Sequence, residues 1–299
     1  MKKVVYKGSG VAIVTPFNQD LSVNYPKLGE LLEWHIQEGT DSIVICGTTG
    51  ETPTLTDEEQ IECIRYTVQK VAGRVPVVAG CGSNNTPHAI MLSKAAKQVG
   101  ADALLHSTPY YNKTSQRGLV RHFGDIADAT DLPVIVYNVP ARTGMNITPS
   151  TYLELSKHPN IVATKEANGD IAAAARTISM CGDDLAFYSG NDDFIIPLMS
   201  IGGIGVISVI ANIMPAQTHQ LTQLFLDGDT TGAAKLQTGM MGIIDAMFCD
   251  INPVPVKEAL NLMGWEVGPC RLPLVEMDAA GRALLGEQLC AHGLFRSKM

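Results

Sequence analysis

The amino-acid sequence predicts an α/β fold, a (β/α)8 TIM barrel with a C-terminal all-helical appendix. Three observations favour this fold class: eight short apolar runs, an amphipathic stretch between most of them, and a last segment with helical periodicity only. The length of 299 residues allows it, because barrels of roughly 250 residues form one domain. We predict a barrel domain at residues 1–228 and a C-terminal helical domain at residues 229–299.

The eight predicted strands are aliphatic or β-branched and show little polar alternation, which is typical of parallel strands buried on both faces. The first follows two lysines, and its apolar stretch is short and is interrupted by Gly8 and Gly10. We therefore interpret it as a strand and not as a signal peptide. The predicted strands are Val11–Thr15, Ser42–Cys46, Pro76–Ala79, Ala103–His106, Pro133–Tyr137, Ile161–Lys165, Ala186–Ser189 and Gly205–Ser208.

The amphipathic stretches between the strands predict helices. Asp57 follows Thr56 and precedes two glutamates, which is a good helix start by capping and dipole arguments. The clearest stretches are Tyr25–Glu38, Asp57–Val71, Pro87–Val99, Leu119–Ala129, Ser150–Lys157 and Ile171–Met180. After Pro215 the predicted helices are Ala216–Leu226, which completes the barrel, and then Thr230–Met247, Val254–Met263 and Glu276–Leu289.

An open, doubly wound sheet is the main alternative fold. That fold usually has a glycine-rich phosphate loop after its first strand. Here the first strand ends in Thr15-Pro-Phe-Asn, without a G-x-G-x-x-G motif. The barrel is therefore favoured.

Composition excludes several partners. The net charge is −8 with acids and bases well mixed, which disfavours nucleic acid and anionic membranes. No run of 18 apolar residues occurs, so we expect no membrane span.

The seven cysteines are odd in number and have no C-x-x-C spacing, which predicts reduced thiols in a cytoplasmic protein. There are seven histidines but no H-E-x-x-H motif or Cys/His cluster, so we expect no metal.

Lys165 is the most informative residue, because lysine is rarely placed inside a buried strand without a reason. Glu166 follows it, but adjacent strand residues point to opposite faces, so Glu166 is a poor ion partner. A buried amine without a carboxylate partner has a pKa below about 10.4, and the neutral amine can attack a carbonyl to form a Schiff base. The alternative is a lysine that reaches the rim or pairs with a distant acid, and position alone does not decide between the two.

Other polar residues follow the ends of neighbouring strands, where barrel active sites lie. Tyr137 ends the strand before Lys165, and a phenol beside the amine could shuttle protons. The turn Gly47-Thr-Thr-Gly offers hydroxyl and N–H groups that can hold a carboxylate, and Arg142 could bind a second one. Taken singly, these features are also explained by packing, by an ordinary turn and by a surface ion pair.

Taken together and in this order, these motifs resemble the dihydrodipicolinate synthase (4-hydroxy-tetrahydrodipicolinate synthase) family, within the N-acetylneuraminate lyase/class I aldolase superfamily. The similarity covers nearly the whole chain. The motifs that carry it are Gly47-Thr-Thr-Gly-Glu51, Thr108-Pro-Tyr-Tyr-Asn112, Tyr137-Asn-Val-Pro-Ala-Arg-Thr-Gly144, Lys165-Glu166, Ser189-Gly-Asn-Asp192 and Asn252-Pro-Val-Pro-Val-Lys257.

The resemblance implies a lyase that condenses pyruvate with L-aspartate 4-semialdehyde in the diaminopimelate route to lysine, usually as a homotetramer built from two tight dimers. It implies no cofactor, because pyruvate is held as an imine. The resemblance implies that Lys165 forms the imine and that Tyr137, Thr48 and Tyr111 relay protons, with Tyr111 donated by a neighbouring subunit. It implies that Thr49 binds the carboxylate of pyruvate and Arg142 that of the semialdehyde. The backbone of Gly190 and Ile207 would lie near the bound keto acid.

Two alternatives to the synthase are considered. An N-acetylneuraminate lyase or a 2-keto-3-deoxy sugar acid aldolase would share the lysine and the tyrosine. Such lyases typically have Ser-Thr where this chain has Thr48-Thr49, and they usually lack Arg142, so both features favour the synthase. A catalytically silent barrel is the other alternative, but it would need a missing catalytic group, and none is missing.

The resemblance also bears on regulation, because some family members are inhibited by lysine bound at the dimer interface. Asn84 and Tyr110 match that site. His88 stands where the sensitive enzymes usually have an acidic residue, and Asp57 and Gln60 stand where some of them have histidine. We therefore expect weak or absent inhibition by lysine.

Overall fold

The computed structural model describes residues 2 and 4–295, and its centre is a closed barrel of eight parallel strands in chain order. The first strand pairs with the eighth and closes the ring. The predicted (β/α)8 fold class is therefore confirmed. The strands are Gly8–Ala12 (β1), Ser42–Ile45 (β2), Val77–Gly80 (β3), Ala103–Ser107 (β4), Val134–Asn138 (β5), Ile161–Glu166 (β6), Ala186–Ser189 (β7) and Gly205–Ser208 (β8).

Helices follow the strands and continue after the last of them. The helices up to the eighth strand are Tyr25–Gln37 (α1), Asp57–Val71 (α2), Thr86–Gln98 (α3), Gln116–Asp128 (α4), Pro140–Thr143 (α5), Pro149–Leu155 (α6), Ile171–Cys181 (α7) and Ile195–Ser200 (α8). Those after it are Pro215–Leu226 (α9), Thr230–Gly239 (α10), Met241–Met247 (α11), Val254–Leu262 (α12) and Ala279–Ala291 (α13). Among the described residues, no helix is both long and apolar enough to cross a membrane.

The first strand differs from its prediction, since β1 is Gly8–Ala12 and not Val11–Thr15. Gly8 and Gly10 do not interrupt the strand. They are required within it, because a Cβ at Gly10 would collide with the Tyr6 hydroxyl inside the barrel. Beyond Ala12 the chain stays buried, but after Ile13 N–H donates to the Val44 carbonyl the next N–H, that of Val14, donates to the side chain of Asn212 at 3.0 Å.

Local signals explain where several helices begin and end. The start predicted at Asp57 is confirmed, because Thr56 and Glu59 form a reciprocal capping box. The helix predicted from Leu119 begins earlier, since the Ser115 side chain caps Gln116–Asp128. The single helix predicted at Thr230–Met247 is wrong. It divides into α10 and α11 at Met240, just after a glycine, which is a weak helix former.

The helices after the last strand pack partly on the barrel's outer helices and partly on one another. Helix α9 packs against β1 and α10 packs on α9 and α8, whereas α11, α12 and α13 pack on one another. Gly228, with φ +93°, lies between α9 and α10. We retain the division into residues 1–228 and 229–299 as a proposal on these grounds.

Candidate active site

Tyr137 and Lys165 lie side by side at the carboxyl ends of β5 and β6. They are register partners in the barrel, and Lys165 Nζ lies 4.4 Å from the centre of the Tyr137 ring. The two residues are 8% and 5% exposed. The structure therefore brings together the amine and the phenol that the sequence places on neighbouring strands.

Glu166 points away from Lys165, as strand alternation requires. Its carboxylate accepts hydrogen bonds from Asn138 Nδ2 at 3.0 Å, from the Tyr152 hydroxyl at 2.8 Å and from Asn168 N–H at 2.9 Å. Burial raises the pKa of Glu166 to about 7, although these hydrogen bonds act against the shift. Glu166 thus belongs to a hydrogen-bonded group between the barrel and its helices, and it is not the ion partner of the lysine.

The environment of Lys165 favours its neutral form. Burial lowers the pKa of Lys165 to about 8, with the Asp192 carboxylate raising it and Arg142 lowering it further. Within the described part of the chain, no carboxylate forms a salt bridge with the Lys165 ammonium. An amine with this pKa has a substantial neutral fraction near neutral pH, and only the neutral amine attacks a carbonyl.

Asp192 is a neighbour of the lysine to which the sequence analysis assigned no role. It is 2% exposed, and its Oδ2 accepts hydrogen bonds from Val209 N–H at 3.0 Å and Ile210 N–H at 2.8 Å. Burial raises its pKa, whereas these hydrogen bonds and the charge of Lys165 lower it. Asp192 therefore anchors the segment after β8 and exerts a field on the lysine. The sequence signal that could have identified Asp192 as a site residue is its position as an acid just beyond a barrel strand.

The Thr48–Thr49 turn lies at the carboxyl end of β2 as a short 3-10 helix, Thr48–Gly50. Thr48 is half-buried and lines the cleft described below. Thr49 is 2% exposed, and its Oγ1 accepts a hydrogen bond from Asn252 Nδ2 at 3.0 Å. The C-terminal segment thus reaches the turn, which the sequence analysis did not predict.

Arg142 is exposed on α5, at the end of β5. Pro140 begins this helix, and Gly144 ends it in a left-handed conformation with φ +67°. The Arg142 guanidinium donates to the backbone carbonyl of Asn252 at 3.4 Å, and its charge opposes the burial that raises the pKa of Tyr137 to about 12. Arg142 therefore lies at the mouth of the barrel with most of its donors free for a ligand.

A cleft of about 390 Å³ opens at the carboxyl ends of the strands. Thr48, Tyr137 and Arg142 all line it, as does Tyr110. Of the other predicted site residues that the structure describes, Lys165, Thr49, Gly190 and Ile207 lie outside its lining, and Lys165 adjoins it through the Tyr137 ring. The hydroxyl, phenol and guanidinium groups of the cleft are suited to a small acid with a carbonyl group, since carboxylates bind to such donors.

Gly190 lies next to the lysine, and Ile207 lies in the barrel interior. A Cβ at Gly190 would lie 3.1 Å from Lys165 Cγ and 2.7 Å from the Ala167 side chain, so only glycine fits there. Ile207 is fully buried on β8, in the same apolar cluster of the barrel interior as Tyr137. Both predicted positions therefore lie at the carboxyl end of the barrel.

Tyr111 is the one predicted relay residue that the structure does not bring into the cleft of its own chain. It is 93% exposed and adopts φ +66°, whereas Tyr110 is 37% exposed and lines the cleft. The exposed phenol is available to another subunit, as the family resemblance implies.

The predicted lysine-site residues form a polar group at the cleft, which His88 and Tyr110 line. Asn84 Nδ2 donates to the Tyr110 carbonyl at 3.2 Å. The His88 ring contacts Asp57 Oδ1 at 2.9 Å and Ser83 Oγ at 3.1 Å. His88 is therefore held between an acid and a hydroxyl.

These features define a class of protein: a (β/α)8 enzyme with a buried lysine at the carboxyl ends of its strands. More specifically, residues 5–291 match the dihydrodipicolinate synthetase family, and the chain belongs to that family. The 4-hydroxy-tetrahydrodipicolinate synthase of Thermoanaerobacter pseudethanolicus is 57% identical over 293 residues, 98% of this chain and 98% of that protein.

Two solved structures extend the comparison. The chloride-inhibited dihydrodipicolinate synthase of Acinetobacter baumannii, complexed with pyruvate, is 42% identical with a TM-score of 0.95, covering 97% of this chain and 100% of that one. A monomeric dihydrodipicolinate synthase variant is 38% identical with a TM-score of 0.95, covering 97% and 98%. The predicted family and the lyase class are confirmed, and the synthase is supported over the sugar-acid aldolase.

Proposed function

We propose that this protein is a 4-hydroxy-tetrahydrodipicolinate synthase that condenses pyruvate with L-aspartate 4-semialdehyde in the diaminopimelate route to lysine. The observation that carries this proposal is the buried Lys165 amine beside the Tyr137 ring at the mouth of the barrel. Full-length similarity to proteins of that name supports the choice of substrates.

Lys165 attacks the keto carbon of pyruvate and forms a carbinolamine, which loses water to give an iminium. Tyr137, with Thr48 and the Tyr111 of a neighbouring subunit, transfers the protons of these steps. The iminium withdraws electrons, so the pyruvate methyl group loses a proton and becomes a nucleophilic enamine. The enamine attacks the aldehyde carbon of the second substrate, and the aldehyde oxygen takes up a proton. The amino group of the semialdehyde then attacks the regenerated iminium carbon, and Lys165 leaves as the free amine. No cofactor and no metal are required in this proposal.

The two carboxylates bind at different places. Thr49 and the backbone of its turn hold the carboxylate of pyruvate, close to Gly190 and Ile207. Arg142 lies farther out, at the mouth, and binds the carboxylate of the semialdehyde through charge-assisted hydrogen bonds. This arrangement lets pyruvate bind first and leaves its methyl group facing the second substrate.

Borohydride reduction of the pyruvate-treated protein tests the proposal. The expected result is a stable pyruvyl adduct on the peptide that contains Lys165, and none in Lys165→Ala. Turnover with aspartate semialdehyde but not with N-acetylmannosamine would separate the synthase from the sugar-acid lyase. An unmodified Lys165 would contradict the function.

The assembly, location and regulation are further parts of the proposal. We propose a cytoplasmic homotetramer of two tight dimers, as the family resemblance implies. The 93% exposure of Tyr111 supports a contact with a second subunit. One structural relative is a monomeric variant, so sedimentation of the native protein is the direct check.

Inhibition by lysine is expected to be weak or absent. The sensitive family members usually carry an acid at the position of His88, and here Asp57 is engaged by the His88 ring. Titration of lysine at fixed substrate concentrations measures the effect. Half-inhibition at sub-millimolar lysine would show that Asn84, His88 and Tyr110 form a functional lysine site.

A further inference from the structure

A buried ion pair joins the C-terminal helical segment to the turn that carries Thr48 and Thr49. The side chains of Lys257 and Glu51 are 2% and 1% exposed, and Lys257 Nζ lies 2.8 Å from Glu51 Oε1. The dehydration of two buried charges is offset only when further hydrogen bonds satisfy both groups.

Those further hydrogen bonds come from two parts of the chain, the end of β1 and the segment between α12 and α13. Lys257 Nζ donates to the carbonyl of Thr15 at 3.1 Å, after β1, and to the carbonyl of Pro269 at 2.6 Å. The second carboxylate oxygen of Glu51 accepts from Arg271 N–H at 2.8 Å. The pair therefore fastens the ends of β1 and β2 to the segment between α12 and α13.

The pair acts directly on the pyruvate end of the proposed site. Glu51 follows the Thr48–Gly50 turn and has φ +54°, a conformation that non-glycine residues rarely adopt without support. From the same C-terminal segment, Asn252 donates to Thr49 Oγ1. The turn is thus held both at its hydroxyl and at its last residue.

We propose that Lys257 and Glu51 are positioning residues of the pyruvate site, which hold the Thr48–Thr49 turn in the geometry that receives the keto-acid carboxylate. The inference rests on the pyruvate-binding role proposed above for this turn. By this proposal the C-terminal helical segment determines the geometry of the site, although the barrel supplies every group that touches the substrate.

Lys257→Met tests this inference, because it removes the charge and keeps the length of the side chain. We expect the pyruvate concentration for half-maximal borohydride trapping to rise about 10-fold or more, since a misplacement of about 1 Å can cost about 100-fold. The KM for the semialdehyde should stay unchanged. A purely structural role would instead reduce the amount of active protein and leave the pyruvate KM as it is.

A second variant covers the case in which Lys257→Met does not fold, because it leaves Glu51 as a lone buried carboxylate. Combining Lys257→Met with Glu51→Gln removes both charges. We expect this double variant to unfold at a higher temperature than the single one and still to bind pyruvate weakly. Glu51→Gln alone, in which Lys257 keeps its hydrogen bonds to the Thr15 and Pro269 carbonyls, removes the ion pair if neither Lys257 variant folds. Asn252→Ala removes only the hydrogen bond to Thr49 and measures how strongly pyruvate binding depends on this turn.

Arg282→Met is the matched control, since it breaks an exposed ion pair with Glu258 in the same segment, where the side chains are 60% and 21% exposed. It should leave pyruvate trapping unchanged. Normal half-saturation by pyruvate in the folded Lys257 or Glu51 variants would overturn the inference. Absence of any adduct in the unaltered protein would instead overturn the proposed function, so the two failures are distinguishable.

Discussion

The surroundings of the Lys165 amine set its reactivity by two opposing effects. Burial disfavours the ammonium, whereas the Asp192 carboxylate favours it. The same carboxylate would favour the proposed iminium, because that species is also cationic. Asp192 would therefore act at two stages of the proposed reaction, limiting the depression of the amine pKa before it and stabilising a positive charge during it.

The rate of imine formation should depend on pH with a midpoint near 8, the pKa to which burial lowers Lys165. Below that pH the rate of trapping at low pyruvate concentration should fall about tenfold per pH unit, because the neutral amine is the reacting form. Borohydride trapping after brief exposure to pyruvate, measured across pH, gives the profile.

Asp192→Asn provides the control for this profile. It keeps an oxygen for Val209 and Ile210 but removes the charge that raises the pKa of Lys165, so the midpoint should move to lower pH. A midpoint near the ordinary lysine value of 10.5 in the unaltered protein would show that the amine is hydrated.

Arg142→Ala should separate the two substrates. Pyruvate trapping should persist, whereas the KM for the semialdehyde should rise about 10- to 100-fold, because a charge-assisted hydrogen bond to a carboxylate contributes about 1.5–3 kcal/mol. Steady-state kinetics with each substrate varied in turn measures both values. Arg117→Ala, at an exposed residue of α4 outside the cleft, is the control. Equal loss of both activities would contradict the assigned role of Arg142.

The site residues that could be predicted are those at strand ends. Lys165 and Tyr137 each end an apolar run, and parallel strands in a barrel bring their carboxyl ends to one rim. Asn252 lies far along the chain in a helical segment, and nothing local shows that its amide reaches Thr49. Its contact depends on how the C-terminal helices fold back, which sequence periodicity does not determine.

Strand β6 is the element that contributes most to the site. Its alternation directs Lys165 into the barrel and Glu166 towards the helices, where Tyr152 of α6 donates to the carboxylate. Burial moves both residues towards their neutral forms, lowering the pKa of the amine and raising that of the acid. One buried strand thus carries two groups whose charges are disfavoured for the same reason.

Glu166 should make the free energy of unfolding depend on pH in the direction opposite to that of most acids, because its folded pKa is raised and not lowered. Its folded pKa is about 7 and its ordinary value is 4.5, so between these values the folded protein holds a proton that the unfolded chain has lost. The contribution to the free energy of unfolding should therefore fall as pH rises from 4.5 to 7, by at most about 3 kcal/mol. Urea unfolding at several pH values measures it.

Glu166→Gln should remove this pH dependence, because an amide does not ionise in the range. The Tyr152 hydroxyl can accept from the new amide and donate to Thr164, which lies 3.0 Å away. Glu154→Gln, at a residue in an exposed pair with Lys157, should leave the dependence in place. An unchanged difference in stability between pH 4.5 and pH 7 in Glu166→Gln would contradict the assignment.

The bounds of helices and strands were predictable where the residues that determine them lie close together in the sequence. The capping box at Thr56 determines the start of α2 without help from the rest of the fold. The bounds of β1 depend instead on Gly10 packing against Tyr6 across the barrel, which cannot be recognised from the glycine itself. The same holds for Met240, which is 2% exposed because two helices of the C-terminal segment meet there.

At the scale of the whole molecule, the proposed proton relay is incomplete within one chain. Thr48 and Tyr137 line the cleft, but Tyr111 is almost fully exposed and does not. Tyr111 also has a left-handed φ of +66°, a strained conformation that is often found at functional sites. We therefore expect each site to be completed by a symmetry-related copy, as in a dimer with two-fold symmetry.

Subunit mixing tests this expectation. Lys165→Ala and Tyr111→Phe should each be inactive or nearly so, but a hybrid dimer would contain one site with both defects and one with neither. Random mixing should thus restore about one quarter of the normal number of sites. Mixing Lys165→Ala with Tyr137→Phe is the matched control, because both residues belong to the same chain's site and every hybrid site keeps one defect. Recovery in the control, or no recovery with Tyr111→Phe after verified subunit exchange, would show that Tyr111 does not act across the interface.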